Sequence, residues 1–260
     1  MSAVGDHVPE RLSWSRIRAY LTCSLQYFFR YVAQEKPEFT PGALAFGSAL
    51  HRAMEESLVG QMAGQEIDLD HLIVTFGTSL DEAEVEAAIR WPERDNRESV
   101  TAQAKTMLDI WLRHPRSGKI LGVEESFEVE LTPWLRLSGR VDVVEETDDG
   151  YLLLTDLKSS RAAWGDEQVL QGQDQLVLYR EGLRPLIEAV GKPVKLAWEV
   201  ILKQKAPRVE RIELTDPPSA DRAIRTATIV QEAISKQIFV PSPGAMQCHG
   251  CPYRAACRDW

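Results

Sequence analysis

The chain has 260 residues, of which 44% are hydrophobic and 27% are charged, so it can bury a substantial core in one large domain or two small ones. Its formal charge of −9 argues against a protein that binds nucleic acid through overall charge, although a single groove can still be basic. No apolar run approaches the roughly 20 residues that span a bilayer, and the first residues lack the pattern of a secretory signal peptide. We therefore expect a cytoplasmic protein with no membrane partner.

The first half of the chain has the apolar periodicity of helices. This pattern predicts a helix over residues 13–32, opened by Ser13 and carrying Cys23, and a second helix over 44–60, in which His51 starts the apolar series. An acidic segment at 68–98 is also helix-prone, and a solvated helical face is its simplest interpretation. A further helix is predicted over 100–114, with Pro115 as its stop signal.

In the second half the period changes from helical to alternating. Strands are predicted over 120–131, 135–146 and 151–157, with a hairpin turn over 147–150, and are followed by a helix at 166–190, strands at 194–203 and 208–214, and a helix at 219–237. This order predicts a mixed α/β fold in one domain, 1–260. Within it we expect a helical part (1–115), a core of sheet and helix (116–215), and a C-terminal helix with a cysteine-bearing tail (216–260).

The four cysteines are unevenly placed. Cys23 stands alone near the start, whereas Cys248, Cys251 and Cys257 form a C-x2-C-x5-C cluster in the tail. In a reducing compartment clustered thiols are more often metal ligands than disulfides. We expect a four-sulfur site that ties the two ends of the chain together, and the spacing alone leaves zinc and a 4Fe-4S cluster both open.

A second constellation consists of two carboxylates and a lysine. Asp156 and Lys158 are two residues apart on a predicted strand and share one face, and hairpin pairing can bring Asp142 near Asp156. Adjacent carboxylates repel each other unless a divalent cation lies between them. With a lysine beside that cation, these are the groups needed to hydrolyse a phosphodiester. On spacing alone, a surface salt bridge of little energetic value explains the same residues.

Six motifs lie in a fixed order along nearly the whole chain: Leu12-Ser13-Trp14-Ser15 with Tyr20 and Cys23, Gly47-Ser48-Ala49-Leu50-His51, Gly139-Arg140-Val141-Asp142, Thr155-Asp156-Leu157-Lys158-Ser159, Gln175-Leu176-Val177-Leu178-Tyr179, and the segment from Cys248 to Cys257. This ordered set resembles the PD-(D/E)XK nuclease superfamily and, within it, the RecB-like and CRISPR-adaptation-type exonucleases with a four-cysteine iron-sulfur cluster. The resemblance implies a restriction-endonuclease-like α/β core, with a helical N-terminal part and a C-terminal tail stapled by the cluster. Ser24 departs from the pattern, because this group commonly has proline after the first cysteine.

The resemblance also implies the roles of the central residues. His51, Asp142 and Asp156, helped by the backbone carbonyl of Leu157, would bind Mg²⁺ or Mn²⁺, and Lys158 would be the catalytic lysine. An imidazole among oxygen ligands suits Mn²⁺ somewhat better than Mg²⁺. Without the motif, His51 on an apolar helix face would more simply be a buried core residue.

Four further residues are supporting candidates. Gln175 and Tyr179 are four apart and share one helix face, where they would contact DNA or brace the site; a core tyrosine beside an exposed glutamine is the alternative. Glu124 and Glu125, on the first predicted strand, are candidates for metal or outer contacts. Because adjacent strand residues face opposite sides, the pattern does not distinguish between them, and a solvated pair is the simpler expectation.

The resemblance implies metal-dependent hydrolysis of DNA, from free or single-stranded ends, in recombination, repair or phage DNA processing. Arg140, Arg161 and Arg180 are candidate phosphate contacts. A helicase, a recombinase or a CRISPR integrase would be the partner protein. Two alternatives remain: a nuclease that trims DNA before CRISPR integration, and a catalytically silent scaffold subunit of a helicase-nuclease complex.

Overall fold

The computed structural model describes residues 11–114, 116 and 118–260, and of residues 245 and 246 the backbone alone. The helices are α1 (Trp14–Thr22), α2 (Ser24–Tyr27), α3 (Gly42–Met62), α4 (Leu69–Glu86), α5 (Arg97–Arg113), α6 (Asp166–Gly182), α7 (Arg184–Val190), α8 (Asp221–Ser235), α9 (Ala245–His249) and α10 (Arg254–Asp259). A π-helical turn, Phe28–Val32, continues from α2. The strands are β1 (Thr40–Pro41), β2 (Ile89–Arg90), β3 (Lys119–Thr132), β4 (Leu135–Glu146), β5 (Leu152–Ser160), β6 (Val194–Leu202) and β7 (Val209–Glu213).

A five-stranded mixed sheet, in the order β3-β4-β5-β6-β7, lies at the centre. Neighbouring strands are antiparallel except β5 and β6, which are parallel. Since parallel neighbours need a long crossover, the chain passes through α6 and α7 between these two strands. The central strand β5 is buried from Leu152 to Leu157, as a strand with apolar residues on both sides requires. The predicted mixed α/β fold is confirmed.

Helices cover both faces of the sheet and form two cores. On one face, α1, α6 and α8 contribute Ile17, Leu176 and Ala227 to a core that also contains Trp198 of β6. On the other face, α3, α4 and α5 form a second core that includes Leu50, Phe76, Leu108, Leu157 and Ile201. Burial on both faces fixes the register of the central strands, because a slip by one residue would exchange the two faces.

The acidic segment 68–98 contains one helix, a two-residue strand and the start of another helix. The Asp68 side chain accepts a hydrogen bond from the backbone N–H of His71 and starts α4, and Asn96 does the same for α5 through the N–H of Ser99. Leu72, Phe76 and Leu80 of α4 are fully buried. This segment is therefore a packed part of the second core, with its charges on the outer face.

Two predicted helices are interrupted. Cys23 has an extended backbone (φ −161°, ψ 106°) between α1 and α2, so the expectation that it lies on the first helix is wrong. The interruption follows from a contact distant in sequence: Ser24 Oγ donates to the Val240 carbonyl at 3.0 Å and accepts from the Val240 N–H at 2.8 Å. The helix expected over 166–190 is divided at Leu183.

The two ends of the described chain meet through ordinary protein contacts. Tyr20 Oη donates to the carbonyl of Ile238 at 2.6 Å, and the Glu38 N–H donates to the carbonyl of Pro252 at 2.8 Å. The ring of Tyr253 stacks near Phe29, with 6.1 Å between ring centres. Among the described residues, no helix has both the length and the apolar character needed to cross a membrane.

Candidate active site

The site lies where β4 and β5 separate. The last pair of their ladder is Val143 with Thr155, and Asp142 and Asp156 are the next residues on the two strands. Asp142 Oδ2 accepts a hydrogen bond from the N–H of Leu157 at 2.5 Å and so fills the gap between the strands. Asp142 is 6% exposed and Asp156 only 1%. Two buried carboxylates therefore lie side by side at the fork.

Lys158 and helix α6 hold Asp156 from two directions. Lys158 Nζ lies 2.5 Å from Asp156 Oδ2, an ion pair along one face of β5. Gln175 Nε2 donates both to Asp156 Oδ1 and to Tyr179 Oη, each at 2.7 Å. Burial raises the pKa of Tyr179, which keeps its hydroxyl protonated. The glutamine is thus buried against the site, with the tyrosine next to it.

His51 reaches Asp142 from α3. Its Nε2 lies 3.0 Å from Asp142 Oδ2, and its Nδ1 is hydrogen-bonded to Glu55 one turn further along the helix. Ligand atoms of His51, Glu124 and Asp142 all lie within 4.8 Å of one another. Glu55 belongs to none of the sequence motifs, although its place four residues after His51 on a predicted helix is a spacing that brings two side chains together.

Glu124 enters the site through an unusual backbone conformation. It has φ +54°, in the left-handed region, and lies between the paired residues Val123 and Glu125 of β3. Its side chain is 19% exposed and forms an ion pair of 2.8 Å with Arg140. The expectation of a solvated Glu124–Glu125 pair is therefore wrong for Glu124, whereas Glu125 stays in the regular ladder opposite Val141.

The charges of this cluster are unbalanced. Burial raises the pKa of Asp156 to about 6, with Lys158 opposing the change and Asp142 adding to it. Burial and the neighbouring acids Glu55 and Asp142 raise the pKa of Glu124 to about 7. Such shifts are typical of carboxylates that are buried next to one another.

The pKa of His51 is also raised, and for a histidine this favours the charged form. Burial lowers the pKa of His51, but the hydrogen bonds and charges of Asp142 and Glu55 outweigh burial and raise it to about 10. Because a ligating imidazole must be neutral, binding of a metal ion would release this proton. Asp156 Oδ2 also has no hydrogen-bond partner among the described residues, although Lys158 is close. The donor set therefore fits a divalent cation held by oxygen and imidazole ligands.

A cleft of about 780 Å³ opens onto His51, Glu124 and Asp142, whereas Asp156 and Lys158 are not among the residues that line it. Its walls also contain the N-terminal segment Ser13, Trp14 and Ser15. Gly139 lies on the cleft as well. A glycine is needed at this position because the ring of Phe127 occupies the space of a side chain: an added Cβ would lie 2.6 Å from Phe127 Cζ. The first, second, third and fifth sequence motifs thus meet at one cleft.

The four cysteines also converge, at a different place. Cys23, Cys248, Cys251 and Cys257 line one cavity of about 100 Å³ beneath Leu25, Phe29 and Tyr253. Burial raises the pKa of Cys251, and the other three cysteines raise it further. In the described part of the chain no three of the four sulfurs come within 4.8 Å of one another.

Comparison with known proteins agrees with this geometry. The profile of the PD-(D/E)XK nuclease superfamily matches residues 11–258. The chain belongs to this superfamily. A solved structure from Eubacterium rectale, whose assignment as an exonuclease is itself provisional, shares the fold with a TM-score of 0.52 at 13% identity, over 92% of each chain.

Two sequence relatives are named as subunits of an ATP-dependent helicase/deoxyribonuclease. The protein from Streptococcus uberis is 26% identical over 211 residues, which is 79% of this chain and 19% of the relative. The protein from Streptococcus mutans is 25% identical over 185 residues, which is 68% of this chain and 16% of the relative. The chain thus spans less than a fifth of the length of either relative and corresponds to one part of them.

Proposed function

We propose that this nuclease hydrolyses phosphodiester bonds of DNA with the help of Mg²⁺ or Mn²⁺. The observation that carries the proposal is the buried pair Asp142 and Asp156, with His51 against the first and Lys158 against the second, next to a cleft of about 780 Å³. A plain salt bridge does not account for this arrangement, because Glu124 lies against the same histidine and aspartate, and burying several carboxylates together is costly.

Each residue has a role that follows from its contacts. His51, Asp142 and Asp156, with the Leu157 carbonyl and with Glu124 of the two candidate glutamates, would hold the cation. When bound, the cation activates water and neutralises charge on the scissile phosphate. Lys158 supplies a positive charge next to Asp156, where negative charge develops on the phosphate oxygens. Gln175 fixes the orientation of Asp156, and Tyr179 supports Gln175.

We further propose that the enzyme is an exonuclease acting on ends or on single-stranded DNA, in concert with a helicase. Support comes from the two relatives named as helicase/deoxyribonuclease subunits, to which this chain corresponds in part. The test uses labelled linear single-stranded DNA and a closed circle of the same sequence, with Mn²⁺. We expect linear DNA to be degraded and the circle to persist; equal degradation of both would contradict an end-dependent enzyme.

We propose that the cavity lined by the four cysteines is a 4Fe-4S site with a structural role. In a tetrahedral zinc site with bonds of about 2.3 Å, the sulfurs lie about 3.8 Å apart. A cubane cluster spaces its thiolates more widely, because each binds a different iron. Among the described residues no three of the four cysteine sulfurs come within 4.8 Å of one another, which is wider than a zinc site places its sulfurs.

Anaerobic purification provides the test of this cluster. A brown protein that absorbs at roughly 400 nm supports iron and sulfur, and bleaching by Cys251→Ser would assign the ligand. A colourless protein that contains one zinc per chain would contradict the proposal. Because the ends also meet through Ser24 and Tyr20, we expect the cluster to add to an existing junction.

A further inference from the structure

A second cavity, of about 450 Å³, lies near the active site and combines cations with aromatic rings. It is bounded by the start of α3, by the loop that follows β2, and by the chain just beyond β5 and β6. Its lining includes Arg94, Arg161 and Lys203 together with the rings of Phe46 and Trp91. None of these residues has a role in the proposed cation site.

The cavity lies close to the reacting groups. Arg161 is the third residue after Lys158, a separation of about 10 Å along an extended chain. On α3, Phe46 precedes His51 by five residues, which is about 7.5 Å along the helix axis. Both separations are on the order of 10 Å, so a strand that passes the reacting groups can reach the cavity.

The cations of the cavity are not fully neutralised by its acids. Lys203 Nζ lies 3.6 Å from the centre of the Phe46 ring, and burial, helped by the charge of Arg161, lowers its pKa to about 8 against the opposing effect of Asp95. Arg161 approaches Asp95 at 3.7 Å and is 75% exposed. With Glu93 also in the lining, three cations face two carboxylates. A phosphate beside Lys203 and Arg161 would relieve their mutual repulsion.

Trp91 provides a flat apolar surface in the same cavity. Its ring packs closely over Gly42, where an added Cβ would lie 2.6 Å from Trp91 Cε3, so the ring is supported by backbone on that side. The ring also lines the cavity. Cations that follow a phosphate backbone, next to an aromatic ring on which a base stacks, are the usual elements of single-strand binding.

We propose that this cavity binds a nucleotide of single-stranded DNA that flanks the scissile phosphate. Lys203 and Arg161 hold its phosphate, and the base stacks on Trp91. The proposal rests on the nuclease function and adds a binding subsite to it, one that takes a single strand because bases within a duplex are not free to stack on a side chain.

Fluorescence anisotropy without divalent cations tests the proposal, using labelled single strands of about 15 nucleotides and the matching duplex. Trp91→Leu should weaken single-strand binding about 5- to 150-fold, and Trp91→Phe should retain most of it. Arg161→Gln and Lys203→Met should each reduce the slope of log K against log salt by about one. Lys236→Met, which removes an exposed charge on the chain beyond α8, is the control and should leave the slope unchanged.

The possible outcomes separate this proposal from the nuclease function itself. If the Arg161 and Lys203 variants bind single strands with the affinity and salt slope of the wild type, the cavity is not a strand site. This result would not depend on whether replacing Lys158 abolishes cleavage. Equal weakening for duplex and single strand would contradict the single-strand assignment. Arg161 is largely exposed, so its variant should fold even if Trp91→Leu does not, and circular dichroism checks both.

Discussion

The role of Gln175 gives a prediction whose size follows from the structure. Replacing Gln175 by alanine removes its hydrogen bond to the buried carboxylate of Asp156 and its bond to the Tyr179 hydroxyl. A hydrogen bond to a charged group contributes about 1.5–3 kcal/mol. If that loss falls on cation binding, the affinity drops about 10- to 100-fold, the range found when the residues that support metal ligands are removed.

The measurement is the Mn²⁺ concentration that gives half-maximal cleavage of labelled single-stranded DNA. We expect this concentration to rise for Gln175→Ala, while the rate at saturating Mn²⁺ falls much less. The matched control is Gln171→Ala on the same helix, whose side chain is exposed and bonds Glu167 only, among the described residues. An unchanged Mn²⁺ requirement for Gln175→Ala would refute the argument that this glutamine positions Asp156.

Four further predictions concern pH, metal choice and the junction of the chain ends. The folded pKa values of Asp156 (about 6) and Glu124 (about 7) exceed their ordinary values, so protons compete with the cation, and the half-activating Mn²⁺ concentration should rise as pH falls from about 7 to 6. In the metal-free protein, the raised pKa of Asp156 stabilises the folded state below about pH 4, and this stabilisation is lost as the pH rises through 6. The free energy of unfolding measured with urea should therefore fall over this pH range, and Asp156→Asn should make the fall smaller. Mn²⁺ should activate at lower concentration than Mg²⁺, and His51→Asp should reduce that difference, because imidazole favours Mn²⁺. Ser24→Ala should lower the free energy of unfolding by about 1–3 kcal/mol, because it removes two hydrogen bonds to Val240. The control is Thr106→Ala, exposed on α5, which should change this free energy by less than about 0.5 kcal/mol.

The carboxylate pair could be placed from sequence because short-range geometry determines it. The Thr147 side chain and backbone bond Tyr151 across the turn, and Gly150 has the positive φ of +88° that such a turn requires. With the turn fixed, the antiparallel register brings Asp142 beside Asp156, and the alternation of β5 brings Lys158 to the same face.

The features that sequence did not reveal depend on contacts far apart in the chain. Cys23 lies between two helices because Ser24 bonds Val240, more than two hundred residues later, and no local propensity encodes that contact. Glu124 faces the site because its backbone adopts a left-handed conformation within a strand, which residues other than glycine seldom do. Strain of this kind is more common at functional sites than elsewhere.

The most direct test of the central claim compares the wild type with Lys158→Met on end-labelled single-stranded DNA in saturating Mn²⁺. Lys158 is the cation next to the developing charge, so we expect cleavage to slow about 100- to 1000-fold, with unchanged folding by circular dichroism. The control Lys236→Met should cleave like the wild type. Equal cleavage rates for the wild type and Lys158→Met would contradict the assignment of phosphodiester hydrolysis to this site.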